Sequence, residues 1–227
     1  MSGQVLILRP RLGAEGTAER ALSLGLDPVL APLFTIRPLP WQVPDPARFD
    51  ALLLTSANAA RQAGGDLTPL LDLPCFAVGE ASAASAAEAG VRNVRAGPAD
   101  ASALLRLMEA EGVRSALHLC GREHALPAGS SVEVTAIPVY AADAIDRLPA
   151  EADPAIAAGA VALLHSPRAA ALFSSLIGAE RHQVRIAAIS AAAAASAGPG
   201  WAAVAVASEP RDQALLEAAA KLCHRSG

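Results

Sequence analysis

The chain has 227 residues, a formal net charge of −4 and 53% hydrophobic residues, so it can bury one large core or two small ones and is not a disordered segment. The acidic balance, with no basic stripe interleaved with aromatics, argues against a nucleic-acid partner, and with Lys221 as the single lysine a Schiff-base mechanism is excluded unless Lys221 itself serves. Cys75, Cys120 and Cys223 lack any C-x-x-C spacing, which supports neither a disulfide framework nor a zinc site and points to a reducing compartment.

In chain order, residues 1–11 carry arginines after an apolar run with no long h-region, which reads as a first strand rather than a signal peptide. Short apolar runs then alternate with helical patterns, the rhythm of a parallel sheet covered by helices. Strands are expected at 5–8, 28–31, 51–54, 75–78, 116–119, 161–164, 185–189 and 203–207, and helices at 14–24, 57–63, 80–89, 101–111, 168–176, 191–197 and 211–223. Asp100 and Ser208 suit helix N-caps, and Gly25, Gly90 and Gly112 suit helix stops. Residues 186–208 carry no charge, yet they are mainly alanine and are broken by Gly198-Pro199-Gly200, which fits strand, helix, loop and strand better than a membrane span. Residues 33–40 and 133–140 are extended, alternating and punctuated by proline, which suits two connecting strands.

The sequence also repeats itself about 111 residues on. Asp50-Ala51-Leu52-Leu53-Leu54-Thr55-Ser56 is echoed from Ala160 to Ser166, Phe76-Ala77-Val78-Gly79 by Ala187-Ala188-Ile189-Ser190, and Leu104-Leu105 by Leu215-Leu216. Two similar lobes follow, with a cleft between them as the expected seat of function. The connecting segments flank the first copy. This predicts a first lobe made of both chain ends (1–36 plus 142–227), an inserted second lobe (40–137), and connector strands at about 32–40 and 133–141; a contiguous split near residue 145 is the rival arrangement.

In a parallel sheet the turns after the strands face the ligand crevice, where helix N-termini offer unpaired N–H groups to anions. Ser56, Gly79, Gly121, Ser166 and Ser190 stand at such turns, either as anion-binding positions or simply as caps and tight turns. None belongs to a G-x-G-x-x-G or Walker loop, so a nucleotide is poorly supported. His118, His124, His165, His182 and His224 show no metal-ligand spacing, and the helical glutamates read as solvated faces rather than acid–base pairs. Tyr140, the single tyrosine, ends the second connecting segment; it is a weak general acid in the cleft or a half-buried strand aromatic.

Arg9-Pro10, Leu54-Thr55-Ser56-Ala57-Asn58-Ala59, Ala77-Val78-Gly79 with Ser82, Leu119-Cys120-Gly121-Arg122-Glu123, Val139-Tyr140, His165-Ser166-Pro167 and Ala188-Ile189-Ser190 together resemble the uroporphyrinogen-III synthase family. The resemblance spans nearly the whole chain. It implies an α/β fold of two flavodoxin-like lobes joined by a two-stranded connector, and a cyclising lyase. Such an enzyme dehydrates the linear tetrapyrrole hydroxymethylbilane and inverts ring D through a spiro intermediate to give uroporphyrinogen III. It implies no cofactor and no metal, a cytoplasmic monomer without membrane or nucleic-acid partners, and room for transient contact with hydroxymethylbilane synthase. Carried over by position, Tyr140 is the catalytic residue assisting loss of the hydroxyl. Arg9, Ser56, Gly79, Ser82, Gly121, Arg122, Ser166 and Ser190 become substrate-binding positions. The chain departs from the family pattern at Leu8, where a small hydroxyl residue is common, at Ser190-Ala191, where Gly-Pro is common, and at Ala193, where Thr is common. The alternatives are a non-catalytic two-lobed protein that closes on a small anion, and a flavin- or nucleotide-binding enzyme.

Overall fold

A computed structural model describes residues 3–98 and 100–224; positions 1–2 and 225–227 of the expected first lobe lie outside the described residues. The elements run β1 (Gly3–Ile7), α1 (Arg11–Ser23), β2 (Leu26–Leu30), β3 (Phe34–Pro38), β4 (Ala51–Leu54), α2 (Ala57–Ala63), β5 (Cys75–Val78), α3 (Gly79–Glu88), β6 (Val94–Gly97), α4 (Ala101–Ala110), β7 (Ser115–Gly121), β8 (Glu133–Ala144), α5 (Ala152–Ala157), β9 (Val161–Leu164), α6 (Pro167–Ile177), β10 (Arg185–Ala188), α7 (Ala191–Ala197), β11 (Ala203–Val206) and α8 (Asp212–His224). The chain divides into two compact units, Met1–Thr35 with Ala144–Gly227, and Ile36–Asp143.

The first unit holds the sheet β11-β10-β9-β1-β2, in which each neighbouring pair of strands is parallel, and the second centres on the sheet β3-β8-β7-β4-β5-β6. Taken in chain order, the strands of the first sheet have the flavodoxin-like order 2-1-3-4-5. The same layout recurs in the second unit with β7 standing where β1 stands, so one repeat unit is a circular rearrangement of the other.

Central strands such as Ala51-Leu52-Leu53-Leu54 and Val161-Ala162-Leu163-Leu164 are buried at every residue because helices cover both faces of a parallel sheet. Along β4, Leu52 and Leu54 face a cluster with the alanines of α2 and α3, whereas Ala51 and Leu53 face Leu104, Leu105 and Met108 of α4. In the first unit, Val5, Ile7, Val161, Leu163 and Ala187 pack against Leu215, Leu216, Ala219 and Leu222 of α8. The repeated leucine pairs 104–105 and 215–216 therefore do the same work in the two units.

Gly25, Gly90 and Gly112 take positive φ just past α1, α3 and α4, as helix stops do. Asp100 caps α4 through a hydrogen bond to the Ala103 N–H. Ser208 does not cap α8: the chain turns through 208–211 and the helix begins at Asp212, because Pro210 disfavours helical backbone in the residue before it. Two elements carry no sequence prediction, the half-exposed edge strand β6 and the short helix α5. Both expected connecting segments are strands, β3 and β8, adjacent in the second sheet.

Candidate active site

In the first sheet the chain runs from β1 out to β2 and returns on the other side of β1 as β9; in the second it runs from β4 out to β6 and returns as β7. The reversals lie between β1 and β9 and between β4 and β7, and open α/β sheets bind ligands outside the carboxyl ends of the strands at such points. Arg9, His165 and Ser166 follow β1 and β9; Ser56 follows β4, Gly121 ends β7 and Arg122 follows it; Gly79 and Ser190 stand one strand further out.

The three serines are N-caps in extended backbone. The hydroxyl oxygens of Ser56, Ser166 and Ser190 accept from the amides of Asn58 (3.2 Å), Ala169 (3.1 Å) and Ala193 (3.2 Å). What these turns offer an anion is therefore the amides that the caps leave over. Pro167 at the first position of α6 removes one of them, so the Arg168 amide is the donor there. Gly79 turns β5 into α3 at φ +68°, which a side chain would strain. Ser82 is only 5% exposed and sits within the packing of α3. Ala193 is fully buried and its amide is already capped, so this departure from the family pattern falls where a side chain meets protein.

In the second unit Tyr140 is half-buried on β8 against the core around Leu52 and Leu119. A register shift between Cys120 and Gly121 sets Gly121 opposite Tyr140, and the phenol ring lies over the Gly121 Cα, where a Cβ would come within 2.8 Å of Cζ and 3.0 Å of Oη. The Arg122 amide donates to the Tyr140 carbonyl (2.8 Å). The Arg122 guanidinium is engaged by Glu123 and by Asp143, both at 2.8 Å, and Arg37 shares Asp143. The hydrogen bond to Glu123 first, then that to Asp143, raises the Arg122 pKa and balances its charge locally.

Behind Ser56, His118 is fully buried on β7 with Nε2 at 2.9 Å from the Thr55 hydroxyl, and the His124 ring stands edge-on to it at 5.7 Å. Burial, reinforced by His124, pushes the His118 pKa down to about 4. The unfolded chain binds this proton near pH 6.5, the folded one only near 4. The stability associated with the neutral ring is thus intact above pH 6.5 and is lost as pH falls from 6.5 to 4, by about 3 kcal/mol. Denaturant titrations at pH 7 and 4 should show that loss in the wild type and a smaller one in His118→Gln; equal losses would contradict it.

In the first unit Asp212, at the start of α8, gathers side chains from α1 and from the turns after β1 and β9. Its Oδ1 accepts from His165 Nε2 (2.8 Å) and the Thr17 hydroxyl (3.0 Å), its Oδ2 accepts from Arg20 Nε (2.7 Å), and Arg9 Nη1 lies 3.5 Å away. Burial alone would raise the Asp212 pKa, but hydrogen bonds from His165 and Arg20 and the Arg20 charge hold it well below the usual carboxylate range. Burial lowers the His165 pKa more than its bond to Asp212 raises it, so the ring is neutral at pH 7 and donates its Nε2–H. Burial also lowers the Arg9 pKa, against Asp212 and with Arg20, and the guanidinium remains charged. The thiols of Cys75 and Cys120 are pushed up to about 12 and about 11 by burial, which leaves them unreactive at neutral pH. Among the described residues no His/Cys/Asp/Glu group could hold a metal ion, and no helix is long and apolar enough to cross a membrane.

A family model described as uroporphyrinogen-III synthase HemD matches residues 15–217. The chain belongs to the uroporphyrinogen-III synthase family. This is a family of cyclising lyases in tetrapyrrole biosynthesis. Two solved uroporphyrinogen-III synthases share the fold. The enzyme from Helicobacter pylori is 17% identical with a TM-score of 0.64 over 98% of this chain and 100% of that one. A mutant enzyme from Thermus thermophilus is 18% identical with a TM-score of 0.53 over all of both chains. No curated protein sequence matches this one.

Within this synthase-family chain, motif reasoning quotes His165 but assigns it no site role, and it misses Thr17 of α1 and Asp212 of α8 altogether. The repeat carries a signal for one of them: Asp212 stands where the first copy has Ala101, so the copies differ in polarity at the start of the corresponding helix.

Proposed function

We propose that this chain converts hydroxymethylbilane to uroporphyrinogen III, breaking the carbon–oxygen bond of the terminal hydroxymethyl group and closing the macrocycle with ring D inverted. The observation that carries the reading is the family match along residues 15–217. The arrangement at the strand ends supports it. The reaction needs a folded substrate geometry more than strong acid–base groups, since electron release from a pyrrole nitrogen expels the hydroxyl and only a proton donor at the departing oxygen is required. Tyr140 is our assignment for that donor. The hydroxyl leaves as water with the donated proton, and the proton released on ring closure returns to the phenolate.

The substrate's acetate and propionate groups are met by Arg9 and by amides at the Ser56, Gly79, Gly121, Ser166 and Ser190 turns. Ser82, buried in α3, acts on these contacts through packing, and Arg122 contributes chiefly through its amide bond to the Tyr140 carbonyl. We take the two compact units as the family's two lobes, with β3 and β8 as the connector. We further propose a cytoplasmic monomer that uses no cofactor and meets hydroxymethylbilane synthase at most transiently. Growth complementation tests the reading: expression of the wild-type chain should restore haem-dependent growth to a strain lacking uroporphyrinogen-III synthase, and failure of the soluble, folded protein to do so would count against it.

A further inference from the structure

Arg9 lies before the residues that the family model matches, yet the fold holds it with unusual care. It leaves β1 at the switch point, with its side chain one-third exposed. Its guanidinium lies flat against the first turn of α1, over Gly13: a Cβ at that glycine would come within 2.6 Å of Arg9 Nε, 2.9 Å of Cζ and 3.0 Å of Nη2. Gly13 has ordinary negative φ, so the backbone does not require glycine, and glycine weakens a helix. What its absent side chain provides is space for Arg9. The remaining contacts fix the group laterally: Nη1 donates to the Thr17 hydroxyl (3.2 Å) and faces Asp212, which Arg20 and His165 hold in turn.

The charges in this cluster do not cancel. Asp212 carries one negative charge against the two guanidinium charges of Arg9 and Arg20. A structural ion pair would need neither the second arginine nor the gap at Gly13. We infer that Gly13, Thr17 and Asp212 form a seat that orients the Arg9 guanidinium to receive a carboxylate of the tetrapyrrole, with Gly13 and Asp212 as positioning residues. The inference deepens the functional reading above and rests on it for the identity of the ligand.

The test uses the full chain and uroporphyrin III, which carries all the product's acetate and propionate groups, as an equilibrium probe. Gly13→Ala must displace Arg9, because the flexible arginine yields before the helix does. Its Kd for the probe and its KM for hydroxymethylbilane should rise about tenfold, with kcat changed less, while Tm rises by about two degrees from better helix propensity. Gly16→Ala on the same helix makes only ordinary contact with Arg20 and should raise Tm alike with Kd unchanged. In an Arg9→Gln background Gly13→Ala should have no further effect on Kd. Asp212→Asn should weaken the probe in the same direction.

Turnover with Gly13→Ala at the wild-type KM and Kd would overturn the seat and leave the function standing. Probe binding that Gly13→Ala weakens, without any isomer III from the wild type, would overturn the function and leave the seat standing. A wild type that does not bind the probe would overturn the seat.

Discussion

Gly121→Ala is expected to lower the turnover of hydroxymethylbilane by about tenfold to a hundredfold while the protein stays folded. Gly121 ends β7 with φ outside the left-handed region, so alanine suits the backbone. The added Cβ would stand 2.8 to 3.1 Å from two ring atoms and the hydroxyl oxygen of Tyr140, and the phenol has to move. A displacement approaching 1 Å at the proposed proton donor is enough for a loss of that size. Tyr140→Phe should cost a comparable factor and leave measurable activity, since the phenol assists a departure that the pyrrole already drives. The double variant separates this from general damage. If Gly121→Ala acts through the phenol, it should cost little more in a Tyr140→Phe background, whereas additive losses would show that it acts elsewhere. An unchanged rate in Tyr140→Phe would remove Tyr140 from the mechanism, and an unchanged rate in Gly121→Ala would show that the ring tolerates the shift.

The largest loss of stability is expected from Phe173→Ala. Phe173 is fully buried in α6 and stacks on Trp201 at 5.6 Å with planes 9° apart, and Arg181 covers the other ring of the pair at 5.6 Å. Removing a buried phenyl group costs about 3–5 kcal/mol, since the cavity is lined by side chains already fixed by packing. For a protein of this size that corresponds to a fall in Tm of roughly 10 °C. The two tryptophans report on different units: Trp201 lies in the first, and Trp41, whose indole N–H donates to the Ala63 carbonyl, in the second. In a Trp41→Phe background Trp201 fluorescence follows the first unit alone, and a fall of less than about 3 °C there would contradict the placement of Phe173 in a tight core. Because Ser166 caps α6, this variant should also loosen the turn that Ser166 forms.

Much of this fold is legible in the chain because parallel strands covered on both faces are written as short apolar runs, such as Ala51–Leu54 and Val161–Leu164. Proline marks the two long connecting strands just as plainly. β6 is not legible: Val94, Arg95, Ala96 and Gly97 form a half-exposed edge strand, where one apolar face and a tolerated arginine leave no run. Ser208 misleads because a serine before a helix is a good cap only when the intervening chain can be helical, and Pro210 prevents that.

At the candidate site, the serine turns are legible as local signals and prove to be caps, so the neighbouring amides are what these turns offer an anion. The Asp212 cluster is a tertiary fact: residues 9, 17, 20, 165 and 212 meet because β1 and β9 are neighbours, and no local pattern brings them together. The two glycines are the opposite case. In the sequence Gly13 lies just outside the helix expected at 14–24 and Gly121 reads as a strand-end turn open to an anion, and only the fold brings Arg9 and Tyr140 into the space each leaves.

The central claim is that this chain directs ring inversion, and the isomer composition of its product tests it most directly. Purified protein would be given freshly generated hydroxymethylbilane, the products oxidised, and the uroporphyrin isomers separated by chromatography. Isomer III in excess over a protein-free control is the predicted result, falling in Gly121→Ala and Tyr140→Phe in step with their rates. Isomer I alone, formed by spontaneous closure in the presence of the folded wild-type protein, would contradict it.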